Sequence, residues 1–149
     1  MTFWKLAIVI SACIVAFTTS AEAGSWQWIG ASVGETSGFS YRSLQEGGFA
    51  GEAGVGWSIV GDDAVQVYAA EELEFLEAGH WQFYGGAGVR IKFQDNTLYG
   101  FRFPLGVYYH FSHGGRGWQV FIEASPLLDL SPEVATHISA LGGLRWSLE

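Results

Sequence analysis

The stretch YGFRFPLGVYYHF, residues Tyr99 to Phe111, separates its side chains by chemical type with hardly an exception. Successive side chains of a β-strand point to opposite faces of the sheet. One face would carry Tyr99, Phe101, Phe103, Leu105, Val107, Tyr109 and Phe111, and the other Gly100, Arg102, Pro104, Gly106, Tyr108 and His110. The pattern predicts a strand with one large apolar face and one small or polar face. Which of the two faces points inward decides the fold class.

The same alternation recurs throughout residues 24–149, and no segment there keeps a helical period. Short runs rich in Gly, Asp, Asn and Ser separate the alternating segments, as tight turns require. Strands joined by short turns form an antiparallel meander, and closure into a barrel removes its two exposed edges. We predict one all-β domain, a closed eight-stranded antiparallel up-and-down barrel, with strands at Trp26–Gly34, Phe39–Leu44, Phe49–Val60, Ala64–Phe75, Trp81–Phe93, Tyr99–Phe111, Trp118–Leu127 and Thr136–Leu148.

The composition indicates that the apolar faces of this barrel point outward into lipid. Only 15% of the residues are charged, against about 25% in an ordinary soluble domain. The small residues then fit the narrow interior, and Arg90, Arg102 and Arg145 lie there too. Each of these arginines would cost about 2–4 kcal/mol if it faced lipid at mid-membrane instead. A transmembrane barrel is therefore favoured, and a soluble periplasmic ligand-binding barrel of the lipocalin type is an alternative.

The inward register predicts a network of charged side chains in the lumen. A buried charge needs partners of opposite sign, and Arg102 and Glu123 fall on neighbouring predicted strands. We expect the network to plug the barrel, with a narrow ion-selective channel as the alternative. Its predicted members are Glu52, Arg90, Arg102, Glu123 and Arg145.

Aromatic residues recur at the ends of the predicted strands on the outward register. Such girdles mark the two interfaces of membrane-spanning barrels. The predicted girdle consists of Trp81, Phe93, Tyr99, Phe111, Trp118 and Trp146.

The N-terminal segment has the layout of a secretory signal peptide. Lys5 precedes the apolar run Leu6–Phe17, and Ala21-Glu22-Ala23 gives a small-x-small cleavage pattern. We predict a signal peptide over residues 1–23, with lipoprotein processing at Cys13 as the alternative. Cys13 is the single cysteine, so the barrel domain has no thiol chemistry. The formal net charge of −8 argues against nucleic acid as a partner.

Two strand motifs resemble those of small eight-stranded outer-membrane β-barrel proteins of Gram-negative bacteria. An uncharacterised group of these proteins has a G-x-R-x-P-x-G strand followed by an F-x-E-x-x-P strand. The corresponding stretches here are Gly100–Gly106 and Phe121–Pro126, and GETSGFS (34–40) and GGLRWSL (142–148) also resemble that group. The resemblance implies a barrel fold and an outer-membrane location, and it implies no chemical activity.

The C-terminal residues resemble the signal by which the barrel-assembly machinery recognises its clients. Gly143, Trp146 and Leu148 fit that signal, whereas Leu141 and Glu149 depart from it. In the sixth predicted strand, Pro104 cannot donate to a hydrogen-bond ladder. We expect a bulge or a missing hydrogen bond there.

The runner-up function is a lipid-modifying hydrolase. Outer-membrane lipid A deacylases are similar in size and carry a His-x-Ser pair with a Glu, for which His110, Ser112 and Glu123 are the candidates. His110 and Ser112 fall on the inward register, away from lipid, so we predict that the chain is not an enzyme. No metal site or cofactor is predicted, because His110 and His113 lack ligand spacing and further ligands.

The predicted partners are outer-membrane lipid and lipopolysaccharide, with the barrel-assembly machinery acting during biogenesis. If the N-terminus is periplasmic, the loops at the other end of the barrel are acidic. Such a rim would share divalent cations with lipopolysaccharide phosphates, although acidic turns are also common without any ligand. The rim residues are Glu35, Asp62, Asp63, Asp95, Asp129 and Glu133.

Overall fold

The computed structural model describes residues 26–58, 64–111 and 117–148, which form strands and short connections without a helix. The predicted signal peptide, and with it Cys13, lies outside these residues. The strands are β1 (Trp26–Gly34), β2 (Thr36–Leu44), β3 (Phe49–Ser58), β4 (Val65–Ala78), β5 (Trp81–Phe93), β6 (Leu98–Arg102), β7 (Leu105–His110), β8 (Trp118–Ser131) and β9 (Ala135–Ser147).

The strands close into a barrel in which every pairing is antiparallel. Each strand from β1 to β5 pairs with the next along the chain, and β9 returns to pair with β1. Both β6 and β7 pair with β5 on one side and β8 on the other, so together they occupy one position in the wall. The barrel wall therefore has eight strand positions, which confirms the predicted closed eight-stranded architecture.

The interruption between β6 and β7 falls at Pro104, where the sequence predicts a ladder defect. The loss is local, because the flanking backbone groups keep their partners. Phe103 N donates to Pro126 O at 2.9 Å, and Gly86 N donates to Pro104 O at 2.9 Å. Pro104 thus divides this strand into β6 and β7 without breaking the hydrogen-bonded wall of the barrel.

Three strand boundaries differ from the prediction. The strand β2 begins at Thr36 rather than Phe39, and only Glu35 separates it from β1. The run Gly34–Gly38 looks like a loop, but Gly38 lies opposite Gly56 of β3, where an added Cβ would overlap the Val55 carbonyl oxygen. Gly38 therefore serves close strand packing, and the turn is confined to Glu35.

The strands β4 and β8 run past their predicted ends at Phe75 and Leu127. The register of β4 shifts between Glu74 and Leu76, so a bulge at Phe75 reverses the alternation of the strand. The alternating pattern of the sequence therefore does not indicate that the residues after Phe75 still belong to β4. In β8 the polar residues Ser125 and Asp129 resemble a strand end, yet both are buried on the inner face.

The two faces of the barrel have inverted polarity relative to a water-soluble domain. Inside lie fully buried Arg42 and Arg145 together with rings such as Tyr84 and Tyr108. The outer face exposes large apolar side chains from nearly every strand, including Phe39, Phe49, Val55, Trp57, Leu73, Val89, Phe101, Leu105, Ile122, Ile138 and Leu144.

Candidate functional site: a charged cluster that fills the lumen

Three carboxylates from three strands converge in the middle of the lumen. Glu52 of β3, Glu72 of β4 and Glu123 of β8 place one oxygen each within 4.8 Å of the others. All three are buried and occupy the inner register of their strands. Carboxylates held this close repel one another unless cations lie among them.

Three arginines supply those cations. Arg42 Nε donates to Glu72 Oε2 at 2.9 Å, and Arg145 NH2 donates to Glu52 Oε2 at 2.5 Å. The guanidinium group of Arg102 donates to Glu123 Oε1, and Arg42 also reaches Glu74 Oε1 at 3.1 Å. Such charge-assisted hydrogen bonds are stronger than those between neutral groups. Two of these pairs join strands that are not neighbours in the wall, β2 with β4 and β9 with β3, whereas Arg102 and Glu123 lie on the neighbouring strands β6 and β8.

Tyrosine hydroxyl groups donate further hydrogen bonds to the carboxylates of the cluster. Tyr68 Oη donates to Glu52 Oε1 at 3.1 Å, and Tyr84 Oη donates to Glu123 Oε2 at 3.0 Å. The hydroxyl group of Tyr108 donates to Glu74. Glu72 Oε1, by contrast, is buried without a hydrogen-bond partner among the described residues.

Aromatic faces pack against the guanidinium planes within the cluster. The Arg102 guanidinium carbon lies 4.0 Å from the Tyr68 ring centroid, and that of Arg145 lies 3.8 Å from the Phe121 centroid. This stacking adds cation–π attraction to the ion pairs. The lumen is thereby filled with stacked rings and charged groups.

Glycines on neighbouring strands make room for these tyrosine rings. Gly54 lies opposite Tyr68, and Gly106 lies opposite Tyr84. A Cβ added at either glycine would overlap the ring of its partner tyrosine. The absence of a side chain at Gly54 and Gly106 therefore leaves the space that the two tyrosine rings occupy.

A second polar group lies near the end of the barrel opposite the chain termini. Arg90 NH2 donates to Asp129 Oδ1 at 2.5 Å, and Arg90 NH1 donates to Gln66 Oε1 at 3.4 Å. His137 Nδ1 lies 3.4 Å from Asp129 Oδ2, and its Nε2 lies 3.9 Å from Glu35.

The placement of Asp129 corrects the predicted acidic rim. Asp129 is only 4% exposed and belongs to β8, so it is a lumen residue and not a loop residue. The prediction was wrong because the strand was ended too early, at Leu127. Glu35, Asp95 and Glu133 are exposed at this end, whereas Asp62 and Asp63 lie outside the described residues.

The structure places every predicted member of the charge network in the lumen. Glu52, Arg102, Glu123 and Arg145 belong to the central cluster, and Arg90 lies with Asp129 in the second group. The sequence analysis did not predict several members, which lie on the inner faces of β2 and β4 or, in the case of Asp129, beyond the predicted end of β8. Strict alternation through Tyr68, Ala70, Glu72 and Glu74 was the available signal for β4. The missed members are Arg42, Tyr68, Glu72, Glu74 and Asp129.

The candidate hydrolase residues are not brought together among the described residues. His110 lies opposite Gln119 in the β7–β8 pair, whereas Glu123 lies opposite Gly106, four residues away. That separation is about 13 Å along the strand. Both oxygens of Glu123 are engaged, by Arg102, Ser125 and Tyr84, and Ser112 falls outside the described residues.

His110 lies instead among aromatic rings near the end of the barrel that carries the chain termini. Its ring lies 4.8 Å from that of Tyr108 and 5.7 Å from that of Trp28. Gln119 Nε2 lies 3.4 Å from His110 Nδ1.

The predicted girdle residues lie on the outer face near the strand ends. Trp81, Phe111 and Trp118 are exposed at the end of the termini, and Trp118 packs against Trp146 with ring centroids 5.8 Å apart. Tyr99 is exposed at the other end, near Phe93. Further exposed aromatic residues near strand ends are Trp26, Phe49 and Trp57.

The residues of the predicted assembly signal lie at the end of β9. An added Cβ at Gly143 would overlap the Ala31 carbonyl oxygen, so glycine serves close packing there. Trp146 and Leu148 point outward, and Leu148 N donates to Gln27 O at 3.0 Å.

Within the described residues no helix is long and apolar enough to cross a membrane. Searches against family models and against curated proteins find no match for this chain.

Proposed function

We propose that this chain is an integral outer-membrane β-barrel protein with a structural or interaction role, whose lumen is closed by the charged cluster. The observation that carries the proposal is the inverted polarity of the barrel. Arginine and glutamate side chains are buried, while phenylalanine, tryptophan, leucine and isoleucine side chains are exposed.

The exposed apolar area is too large for water to be the natural solvent of the folded barrel. Twenty-five large apolar side chains among the described residues are exposed. At roughly half of the 1.5–3 kcal/mol for complete burial, each would gain about 1 kcal/mol on transfer to an apolar solvent. The sum, about 25 kcal/mol, exceeds the whole stability of a typical domain, about 5–15 kcal/mol.

Closure of the sheet supports the same proposal. In hydrocarbon every backbone N–H and C=O group needs an internal partner, and only helices and closed barrels provide this. The return pairing of β9 with β1, from Trp28↔Ser147 to Gly34↔Leu141, leaves no open edge among the described strands. The predicted signal peptide and the resemblance to outer-membrane barrels favour the outer membrane over other membranes.

The packing of the lumen supports a closed barrel rather than a pore. Eight strands enclose an interior just wide enough for side chains to fill. Here Arg42, Tyr84, Tyr108 and Arg145 are almost completely inaccessible, so the cluster occupies the cross-section. A continuous water column would require these ion pairs to separate.

The proposed partners are membrane lipid, lipopolysaccharide and, during biogenesis, the barrel-assembly machinery. The outward placement of Trp146 and Leu148 at the end of β9 supports recognition by that machinery. The exposed carboxylates of Glu35, Asp95 and Glu133 support cation-bridged contact with lipopolysaccharide phosphates.

Membrane insertion is tested by folding residues 24–149 into phosphatidylcholine vesicles and floating the vesicles on a density gradient. We expect the protein to float with the lipid and to migrate differently on a gel before and after boiling, because folded barrels resist detergent. Recovery of folded protein at the bottom of the gradient would contradict the proposal.

A further inference from the structure

A cavity of about 340 Å³ lies in the lumen at the end of the barrel that carries the chain termini. Trp26, Glu77 and His80 line this cavity and are exposed, so it opens at that end. We call it the terminal cavity. Small-molecule pockets in proteins measure about 300–1,000 Å³, so the terminal cavity has room for a small ligand.

The central charged cluster closes the inner end of the terminal cavity. Glu74 lines the cavity, and its Oε1 atom accepts hydrogen bonds from Arg42 NH1 at 3.1 Å and from the hydroxyl group of Tyr108. Arg42 itself is fully buried. A molecule that enters from the end of the termini therefore meets a blind pocket and not a path through the barrel.

Aromatic rings that are steeply inclined to one another line the terminal cavity. The ring of Tyr108 makes an angle of 89° with that of His110, and the ring of Trp28 makes an angle of 54° with the same imidazole. Rings in such an arrangement present their faces in different directions. Aromatic cages that bind quaternary ammonium groups have this property.

The charge of the lining favours a cation. The terminal cavity is lined by the carboxylates of Glu74 and Glu77, and no Lys or Arg belongs to its lining within residues 26–58, 64–111 and 117–148. Glu77 of β4 lies opposite Gln82 of β5, which in turn lies opposite Tyr108 of β7. A carboxylate and an aromatic ring therefore lie on the same row of the inner face, and both attract positive charge.

A buried donor in the same lining lacks a partner. Trp28 is 1% exposed, and its Nε1 atom has no hydrogen-bond partner among the described residues. A buried donor that is left unsatisfied lowers stability, because it has given up its hydrogen bond to water. An oxygen atom on a bound molecule is the kind of acceptor that this N–H group lacks.

We propose that the terminal cavity binds a small organic ammonium ion that also carries a hydroxyl or ether oxygen. The cationic group contacts the aromatic faces, Glu74 and Glu77 balance its charge, and the oxygen accepts a hydrogen bond from Trp28 Nε1. The inference goes beyond the proposed function, because the cavity lies in the lumen and does not depend on which solvent covers the outer face.

The test compares choline with 3,3-dimethyl-1-butanol, which has nearly the same shape and the same hydroxyl group but no charge. The purified, folded protein is kept in an uncharged maltoside detergent at pH 8, at which histidine side chains are ordinarily neutral. Titrated saturation transfer from aromatic protons of the protein to the methyl groups of each ligand gives the two affinities by NMR. We expect choline to bind about tenfold more tightly than the alcohol.

Two variants locate the charge that choline recognises. Glu77→Gln is expected to weaken choline binding about fivefold and to leave binding of the alcohol unchanged. The matched control is Glu46→Gln, in the exposed turn between β2 and β3, because it makes the same charge change at the same end of the barrel. We expect this control to bind choline as the wild type does.

Three results would overturn the proposal. Equal affinities for choline and the alcohol would show that the cavity does not recognise charge. Equal losses in Glu77→Gln and Glu46→Gln would show a general effect of surface charge. Displacement of choline by an equal concentration of magnesium would show that the carboxylates take a metal ion, which prefers oxygen ligands. None of these results alters the outcome of vesicle flotation, so failure of this proposal is distinguishable from failure of the membrane location.

Discussion

Replacing Ile122 by arginine separates a lipid-facing outer surface from a water-facing one. Ile122 is 62% exposed on the outer face of β8 and pairs with Val107 and Gly142. It lies four residues from Trp118 in the girdle, which is about 13 Å along the strand and about 10 Å along the barrel axis. The side chain is therefore well inside the apolar band, which is about 25 Å tall.

The expected cost of Ile122→Arg depends on which solvent the side chain meets. In a bilayer, arginine near the midplane of a barrel destabilises by about 2–4 kcal/mol. In water, a substitution at an exposed site without special contacts changes stability by no more than about 0.5 kcal/mol. The free energy of unfolding would therefore fall by about 2 kcal/mol or more in lipid and would hardly change in water.

The assay is equilibrium unfolding by guanidinium chloride in phosphatidylcholine vesicles, followed by tryptophan fluorescence. The matched control is Val134→Arg, since Val134 is 75% exposed in the connection between β8 and β9, outside the strands. We expect the control to unfold near the wild-type midpoint. Equal stabilities for Ile122→Arg, Val134→Arg and the wild type would refute the reasoning.

Three further predictions concern the lumen. Planar bilayers containing the wild-type barrel are expected to show no large steady conductance, because the charged cluster fills the cross-section, and a stable open level would contradict this. The variant Glu52→Gln should lose about 3–5 kcal/mol of unfolding free energy, because it leaves the buried Arg145 guanidinium without its charged partner; Glu46→Gln is the exposed control, and equal midpoints would refute the role of the ion pair. Gly106→Ala should cost about 1–3 kcal/mol by overlap with the ring of the facing tyrosine. Gly142→Ala has only ordinary contacts at 3.4 Å or more and should be tolerated, so equal losses in both variants would argue against the packing account.

The barrel itself is predictable from the sequence because the evidence for it is local. Alternation over 99–111 fixes which side chains share a face, and glycine-rich runs mark most of the connections. The interruption at Pro104 follows from the missing N–H group of proline. Closure follows from the need to cover the two edges of an eight-stranded meander.

The partners within the lumen depend on geometry that local sequence does not specify. Arg145 pairs with Glu52, which is 93 residues away in the chain. The stagger between all the strands determines which inward-facing charges lie at the same height in the lumen. The bulge at Phe75 reverses the alternation of β4 only beyond Glu74, so the inward orientation of Glu72 and Glu74 is predictable from the sequence although their partners are not. Asp129 was misplaced because polar residues on an inner face resemble a strand end.

The contact between the outer face and hydrocarbon is tested most directly by a nitroxide spin label on Ala124→Cys, prepared in a Cys13→Ser background. Ala124 lies on the outer face of β8 near mid-height, opposite Leu105 and Ala140. Collision rates with oxygen, which concentrates in lipid, and with a water-soluble nickel complex are compared with those at Val134→Cys in the connection. We predict frequent oxygen collisions and almost no nickel collisions at residue 124, and the reverse at residue 134. Equal nickel accessibility at the two positions in vesicle-bound, folded protein would contradict the account.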